Sequence, residues 1–249
     1  MTADTLVVDV SRDWALARDV QKRFMQGLEP DLKTLDYCAR CRQMFELGGD
    51  CYGFVPLGDQ RLALAIGDAS GKGLAAALMI ANVQSSLRTA ALFRAYDGAA
   101  VLRAVNCQVY ASSPSDRYAT VFYGVFDSMR RILRYVNAGH NPPLVFRQDG
   151  RVDRLEASGA PVGMFADGGF EERIALLHPG DVVVAYTDGV TDALNSAGEE
   201  WGVEGLRGAA AECGAQSAAD IVRAIFASMD EFSQGKQSDD ATVAVLRVH

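Results

Sequence analysis

Four acidic positions stand out by their neighbours. Asp50 lies in Gly48-Gly49-Asp50, and Asp68 lies in Gly67-Asp68-Ala69-Ser70-Gly71-Lys72-Gly73. Asp188 follows an apolar run in Tyr186-Thr187-Asp188-Gly189, and Asp239 and Asp240 precede the run ATVAVLRV. Each sits where a strand-like run begins or ends, beside glycine or another turn residue. Carboxylates at strand ends in several parts of one sheet can converge, whereas mid-strand ones usually cannot. Hard oxygen donors with no histidine or cysteine among them suit Mg²⁺ or Mn²⁺. Two such ions about 3.5–4 Å apart could hold an activated water and bind a phosphoryl oxygen. Aspartate beside glycine is also ordinary turn chemistry, so only the four positions together point to a metal site.

Other motifs carry less. A phosphate-binding Walker loop needs GxxxxGK followed by Ser or Thr. Here three residues separate Gly67 from Gly71, and Gly73 follows Lys72, so the match fails twice. Gly48-Gly49-Asp50 is shared with the GGDEF signature of diguanylate cyclases, but Cys51-Tyr52 replaces Glu-Phe. Cys38 and Cys41 form a CxxC within a strand-like run, where residues three apart face opposite ways. No second such pair completes a zinc site, and histidine occurs only at 140, 178 and 249. His140 has two readings: a proton donor or substrate contact, or a turn histidine holding the loop before Pro142-Pro143. Lys72 either meets a substrate phosphate or is solvated at a helix start.

The charge balance narrows the partners. The chain has 249 residues with 24 Lys and Arg against 32 Asp and Glu, a net −8. That argues against nucleic acid, which needs clustered cations. It leaves an acidic substrate open, because a metal ion between aspartate and phosphate reverses the local sign. Five scattered cysteines are no disulfide framework and suggest a reducing cytoplasm. The N-terminus lacks the basic start and apolar stretch of a signal peptide. No apolar run approaches the roughly 20 residues of a membrane helix. We therefore expect a cytoplasmic protein with no membrane partner.

The elements that must position these residues are legible as blocks. Leu16, Val20, Phe24 and Leu28 recur every four residues over 12–28, an amphipathic helix that Pro30 should end. It either packs on its own domain or serves as a dimerising or signal-receiving element. Strands are expected at 35–44, 52–57 and 61–67, then helices at 74–93 and 98–111, the latter capped by Asp97. In the first of these helices Leu74, Leu78 and Asn82 share a face; in the second Val101, Leu102, Val105 and Val109 form the buried side. Three strands within 117–147 follow, with more at 151–156, 170–177 and 181–187. Helices at 203–213 and 217–232 come next, with Ser217 and Asp220 as a capping box. A final strand closes the chain. Strands and helices in blocks point to an α+β fold, mostly antiparallel. Two packed sheets with a helix pair on each outer face would use every element.

Seven stretches in order resemble one family: ELGGDCYGF, LAIGDASGKGLAAALM, YATVFYGVFD, YVNAGHNPPLVF, SGAPVGMF, LHPGDVVVAYTDGVTDALN and SDDATVAVL. The chain resembles the SpoIIE/RsbU-type serine/threonine phosphatases, a bacterial branch of the metal-dependent PPM phosphatases, from about residue 14 to 248. The resemblance implies a PPM-like α-β-β-α sandwich, with residues 1–30 as a leading switch or dimerisation helix and 31–249 as the phosphatase domain. It implies two divalent cations, Mn²⁺ or Mg²⁺, held by Asp50, Asp68, Asp188, Asp239 and the Ala69 carbonyl. Gly49, Lys72, His140, Gly189 and Asp240 are candidates for substrate contact or for support behind those ligands. Many members carry an aspartate two residues beyond the Cys51 position, where this chain has Gly53. The implied substrate is a phosphorylated STAS-type anti-sigma-factor antagonist in a partner-switching pathway. A sensor or activator protein, or a homodimer through the N-terminal helix, would be the further partner. The competing reading is a catalytically silent PPM-like module that sequesters a signalling partner.

Overall fold

Every central strand here is apolar on both faces, so each must be covered twice. A computed structural model describes residues 10–25, 32–58, 60–94, 97–213 and 216–249. Helix α1 (Val10–Met25) leads into β1 (Leu35–Arg42), β2 (Asp50–Pro56) and β3 (Arg61–Ala69). Helices α2 (Leu74–Phe93) and α3 (Gly98–Ser112) follow, then β4 (Ala119–Asp127), β5 (Ile132–Ala138), β6 (Leu144–Phe146) and β7 (Val152–Arg154). The last block is β8 (Arg173–Leu176), β9 (Val182–Tyr186), the short α4 (Asp188–Thr191), α5 (Gly202–Glu212), α6 (Ala218–Ser233) and β10 (Ala241–Val248).

The strands form two five-stranded sheets, ordered β1-β10-β9-β6-β7 and β2-β3-β4-β5-β8, and neighbouring strands run antiparallel. Alternation along each strand splits its side chains between two cores. Leu62, Leu64 and Ile66 of β3 meet Val183 and Ala185 of β9 and Leu246 of β10 between the sheets. Ala63 and Ala65 turn outward under Ile80, Val83, Val101 and Val105 of α2 and α3. On the opposite side Val182, Val184, Val243 and Val245 pack under Leu206, Ile221, Ile225 and Phe226 of α5 and α6. The expected α-β-β-α sandwich is the observed one.

Local signals place the helix ends. The Asp97 carboxylate accepts from the Ala100 N–H at 2.7 Å. Ser217 Oγ accepts from the Asp220 N–H at 3.2 Å and donates to the Asp220 carboxylate at 2.6 Å. Several expectations differ from the structure, among them the start of β2, which lies at Asp50 and not at 52. Strand β3 runs on through Gly67 to Ala69, because its ladder to β4 continues to Ala119. On α1 the predicted apolar stripe faces outward: Leu16 and Val20 are 54% and 55% exposed, while Gln21 and Met25 are buried. Leu28 and Pro30 lie outside the described residues. The shared face of Leu74 and Leu78 on α2 is likewise exposed, and its buried side is Ala76, Ile80, Val83 and Leu87.

Candidate metal centre

The extension of β3 decides the first pair. Antiparallel register sets Asp50, the first residue of β2, directly opposite Asp68 near the end of β3. Asp50 is buried, and its Oδ2 accepts two hydroxyls, from Thr187 at 2.7 Å and Thr242 at 2.6 Å. Thr187 Oγ1 also accepts the Thr242 N–H at 2.9 Å. Thr187 ends the β9 segment just before Asp188, and Thr242 sits in β10 just after Asp240. One carboxylate of one sheet is therefore tied to two strands of the other, at the end where Asp188 and Asp239 emerge.

Close backbone approach brings the remaining acids in. A Cβ on Gly189 would stand 1.9 Å from the Asp240 carbonyl oxygen and 3.1 Å from Asp239 Cβ, so only glycine lets the segment after Asp188 lie against 239–240. Asp240 is already committed: its carboxylate accepts from the Met44 N–H at 2.7 Å and the Gly49 N–H at 2.6 Å. Its role in this geometry is to hold the β1–β2 loop. Asp239 accepts the Asp240 N–H at 2.9 Å and meets the Lys72 ammonium at 2.7 Å. Lys72 also donates to the Ser238 carbonyl at 3.1 Å. Gly49 and Ala69 are joined by an Ala69 N–H to Gly49 carbonyl bond of 3.0 Å. A Cβ on Gly49 would reach within 3.4 Å of the Ala69 carbonyl oxygen and 3.5 Å of Asp68 Oδ1.

The electrostatics reflect crowding. Burial pushes Asp50 up to about 8, with Asp240 and Asp188 adding to it and the two threonine hydroxyls opposing. Burial likewise raises Asp68 to about 8, reinforced by Asp50, Asp188, Asp239 and Asp240. Asp188 is raised by burial and by Asp192 and Asp239. Lys72 is raised chiefly by its bond to Asp239. Among the described residues, no three acidic, histidine or cysteine side chains already close into a cation cage. The donor chemistry nonetheless fits hard divalent ions: oxygens only, several carboxylates sharing one field, and one ammonium at the edge.

Other predicted residues fall elsewhere. His140 is buried, and its Nδ1 lies 2.9 Å from Thr120 Oγ1. The His140 backbone N–H donates to Asn137 Oδ1, while the Asn137 side-chain amide donates to the His140 and Leu155 carbonyls. Nε2 faces the Tyr186 backbone without a well-formed hydrogen bond. His140 thus has no face open to a substrate and stabilises the loop before Pro142. A side chain on Gly53 would point at Gln84 of α2, on the strand face opposite Asp50. Cys38 packs with the outer core under α6, and all five cysteines are free.

Three residues of the site have no warning in residue type or spacing. Thr187 and Thr242 are two, since a threonine in a strand is ordinary. The third is Gln21 of α1, whose amide donates to the Gly48 carbonyl at 2.7 Å and accepts the Gly48 N–H at 3.2 Å. Gln43 donates to the same Gln21 oxygen at 2.7 Å. Helix α1 thereby reads the backbone two residues before Asp50.

Two antiparallel sheets, helix pairs outside and an aspartate cluster at one strand end define the PPM, or PP2C, phosphatase architecture. The profile of the family described as Stage II sporulation protein E (SpoIIE) matches residues 58–249. The chain belongs to that family. Protein IcfG of Synechocystis is 30% identical over 76% of this chain and 34% of its own length. Phosphoserine phosphatase RsbU of Bacillus subtilis is 28% identical over 96% of this chain and 71% of its own. The chain thus spans about a third of one relative and most of the other. The solved SiaA-PP2C domain of Pseudomonas aeruginosa shares the fold, with a TM-score of 0.83 at 20% identity over 96% of each chain. The catalytic domain of the serine threonine protein phosphatase PstP, solved with two manganese ions, superposes with a TM-score of 0.65 at 18% identity over 86% of this chain and 98% of that one.

Proposed function

We propose that this chain is a metal-dependent protein serine/threonine phosphatase acting on phosphoserine or phosphothreonine. One observation carries the reading: Asp50, Asp68, Asp188 and Asp239 gather from four stretches of chain at one end of the sandwich, in a field far more negative than positive. The phosphoserine phosphatase RsbU, as a relative, and the two manganese ions bound by PstP, as a structural neighbour, support it.

In this reading the four aspartates and the Ala69 carbonyl hold two Mn²⁺ or Mg²⁺ ions. Such ions supply the Lewis acidity that activates water and offsets phosphoryl charge in an in-line displacement. The chain's own residues do the positioning. Thr187 and Thr242 fix the Asp50 carboxylate, and Gly189 and Asp240 hold the 239–240 turn and the β1–β2 loop against it. Lys72, 2.7 Å from Asp239 at the edge of the cluster, would be placed to contact a substrate phosphate.

The substrate we propose is a phosphorylated STAS-type anti-sigma-factor antagonist, released by dephosphorylation to capture its anti-sigma factor in the cytoplasm. Helix α1 is the switch or dimerisation element that receives a sensor, an activator or a second copy. Its exposed Leu16 and Val20, and the Gln21 amide on Gly48, support that role. The test is phosphatase activity of the purified protein with Mn²⁺ on a phosphoserine protein. Turnover that Asp188→Asn abolishes is expected; no turnover on any phosphoserine substrate, or an unaffected Asp188→Asn variant, overturns the proposal. The competing reading is a catalytically silent module that sequesters a signalling partner, and an aspartate at all four ligand positions speaks against it. Calorimetric titration with Mn²⁺ separates the two, because a silent module takes up no ion.

A further inference from the structure

We propose that the cleft between the β6–β7 hairpin and α5 binds a small organic phosphate of nucleotide size. The cleft has a volume of about 630 Å³ and lies at the end of the sandwich away from the aspartate cluster. Val182 and Arg247, cross-strand partners on β9 and β10, mark its position in the first sheet. Arg247 stands six residues along β10 from Ala241, about 20 Å from the aspartate end at strand rise.

Four arginines are among the residues lining the cleft in a chain that is acidic overall, Arg147, Arg151, Arg207 and Arg247, with Glu204 the acidic residue among the lining. The Arg147 guanidinium itself is turned to Asp153, Asp181 and the Leu176 carbonyl. The four arginines come from the β6–β7 hairpin, α5 and β10. Arg147 is part of the framework, bound to Asp153 at 2.8 Å and to the buried Asp181 at 2.6 Å. Arg151 pairs with Asp149, and Arg207 with Glu204, each a surface pair between near neighbours that exchanges readily for a better anion. The Arg247 guanidinium has no ion pair or hydrogen bond among the described residues. Asp36, its cross-strand neighbour on β1, is spent on the Ala218 N–H at 2.6 Å, at the start of α6.

The floor argues for more than a bare anion. Phe146, Val152, Val182 and Ala210 supply apolar surface. At Gly208 of α5 nothing stands within 4 Å of where a Cβ would be, so the helix backbone itself is accessible. Planar guanidinium groups bind phosphate through paired N–H donors and stack on flat rings. A volume of this size suits a whole ligand rather than a lone phosphate. An apolar floor with an arginine rim therefore fits a heterocyclic body carrying a phosphate chain.

The test is calorimetric titration of the full chain with ATP, GTP and CTP in EDTA, which removes any cation bridge at the aspartate cluster. Tripolyphosphate and adenosine are titrated alongside. We expect one nucleotide per chain. Affinity should fall at least tenfold in Arg247→Glu and in Gly208→Leu, whose side chain fills the cleft, while Asp68→Asn should bind as the parent does. Melting curves of each variant confirm that it is folded. Absence of binding by all three nucleotides overturns the proposal. So does unchanged affinity in both cleft variants, or tripolyphosphate binding as tightly as the nucleotides, which would reduce the cleft to a basic patch.

Discussion

Asp50 and Asp68 stand directly opposite each other on adjacent antiparallel strands, and both carboxyls are pushed up to about 8, first by burial and then by neighbouring acids. Like charges in that position oppose folding, so a cation that joins them should stabilise the protein. At a hundredfold excess over its dissociation constant, Mn²⁺ should add about 2.7 kcal/mol, read as a rise of several degrees in Tm against EDTA. Asp68→Asn should lose that rise and most phosphatase activity, on the order of 10²-fold, without melting lower than the parent in EDTA.

The threonine anchors give a second expectation. Thr242→Val keeps the shape of the strand but removes a 2.6 Å hydroxyl bond to Asp50 Oδ2. Misorienting a ligand in this way typically costs about 10–100-fold in metal affinity or activity. Mn²⁺ titration of the variant should show the loss, with Thr242→Ser recovering most of it.

Two glycine-to-alanine changes should move stability in opposite directions. Gly189→Ala places a Cβ 1.9 Å from the Asp240 carbonyl and should cost about 1–3 kcal/mol, together with activity, because Asp188 and Asp239 are forced apart. Gly208→Ala points into open space within a helix and should stabilise by about 0.5–1 kcal/mol. Denaturant melts of the pair check both signs.

His140 predicts an acid limit. Burial lowers its imidazole to about 4 from the ordinary 6.5. The unfolded chain therefore binds a proton that the folded one refuses, so the His140 contribution to stability falls as pH drops from about 6.5 towards 4, by up to about 3 kcal/mol. Asp50 and Asp68 give the opposite trend, because their raised carboxyls take up protons on folding. His140→Gln should remove the His140 loss, so that stability between about pH 6.5 and 4 holds up better than in the parent; an unchanged slope would refute the assignment.

Helix α1 offers a fifth site of intervention. Gln21→Ala removes the amide that both donates to and accepts from Gly48. A loss of about 1–3 kcal/mol is expected from the unpaired groups. If α1 communicates with the metal centre, metal affinity should drop as well, which Mn²⁺ titration of the folded variant reads directly.

Much of the fold is legible in one dimension. The two-residue pleat period and the apolar content of DVVVAY and ATVAVLRV mark strands covered on both faces, as β9 and β10 are. The cap residues Asp97 and Ser217 mark helix starts correctly because capping is local. The stripe on α1 misleads. Periodicity reports that one face is apolar but not what lies against it, and here the packed side presents Gln21.

What the sequence by itself determined is the order of elements, their apolar faces, and the aspartates placed at strand ends beside glycine. These depend on contacts within a few residues, which spacing and residue type express. Only the tertiary structure decided which acids share a field, that Asp240 serves the backbone while Asp239 takes Lys72, and that Asp50 is held by Thr187 and Thr242. Those two bonds span 137 and 192 residues of chain. They exist because two sheets pack in one register, and sheet-to-sheet register is set by the whole core and not by any local spacing.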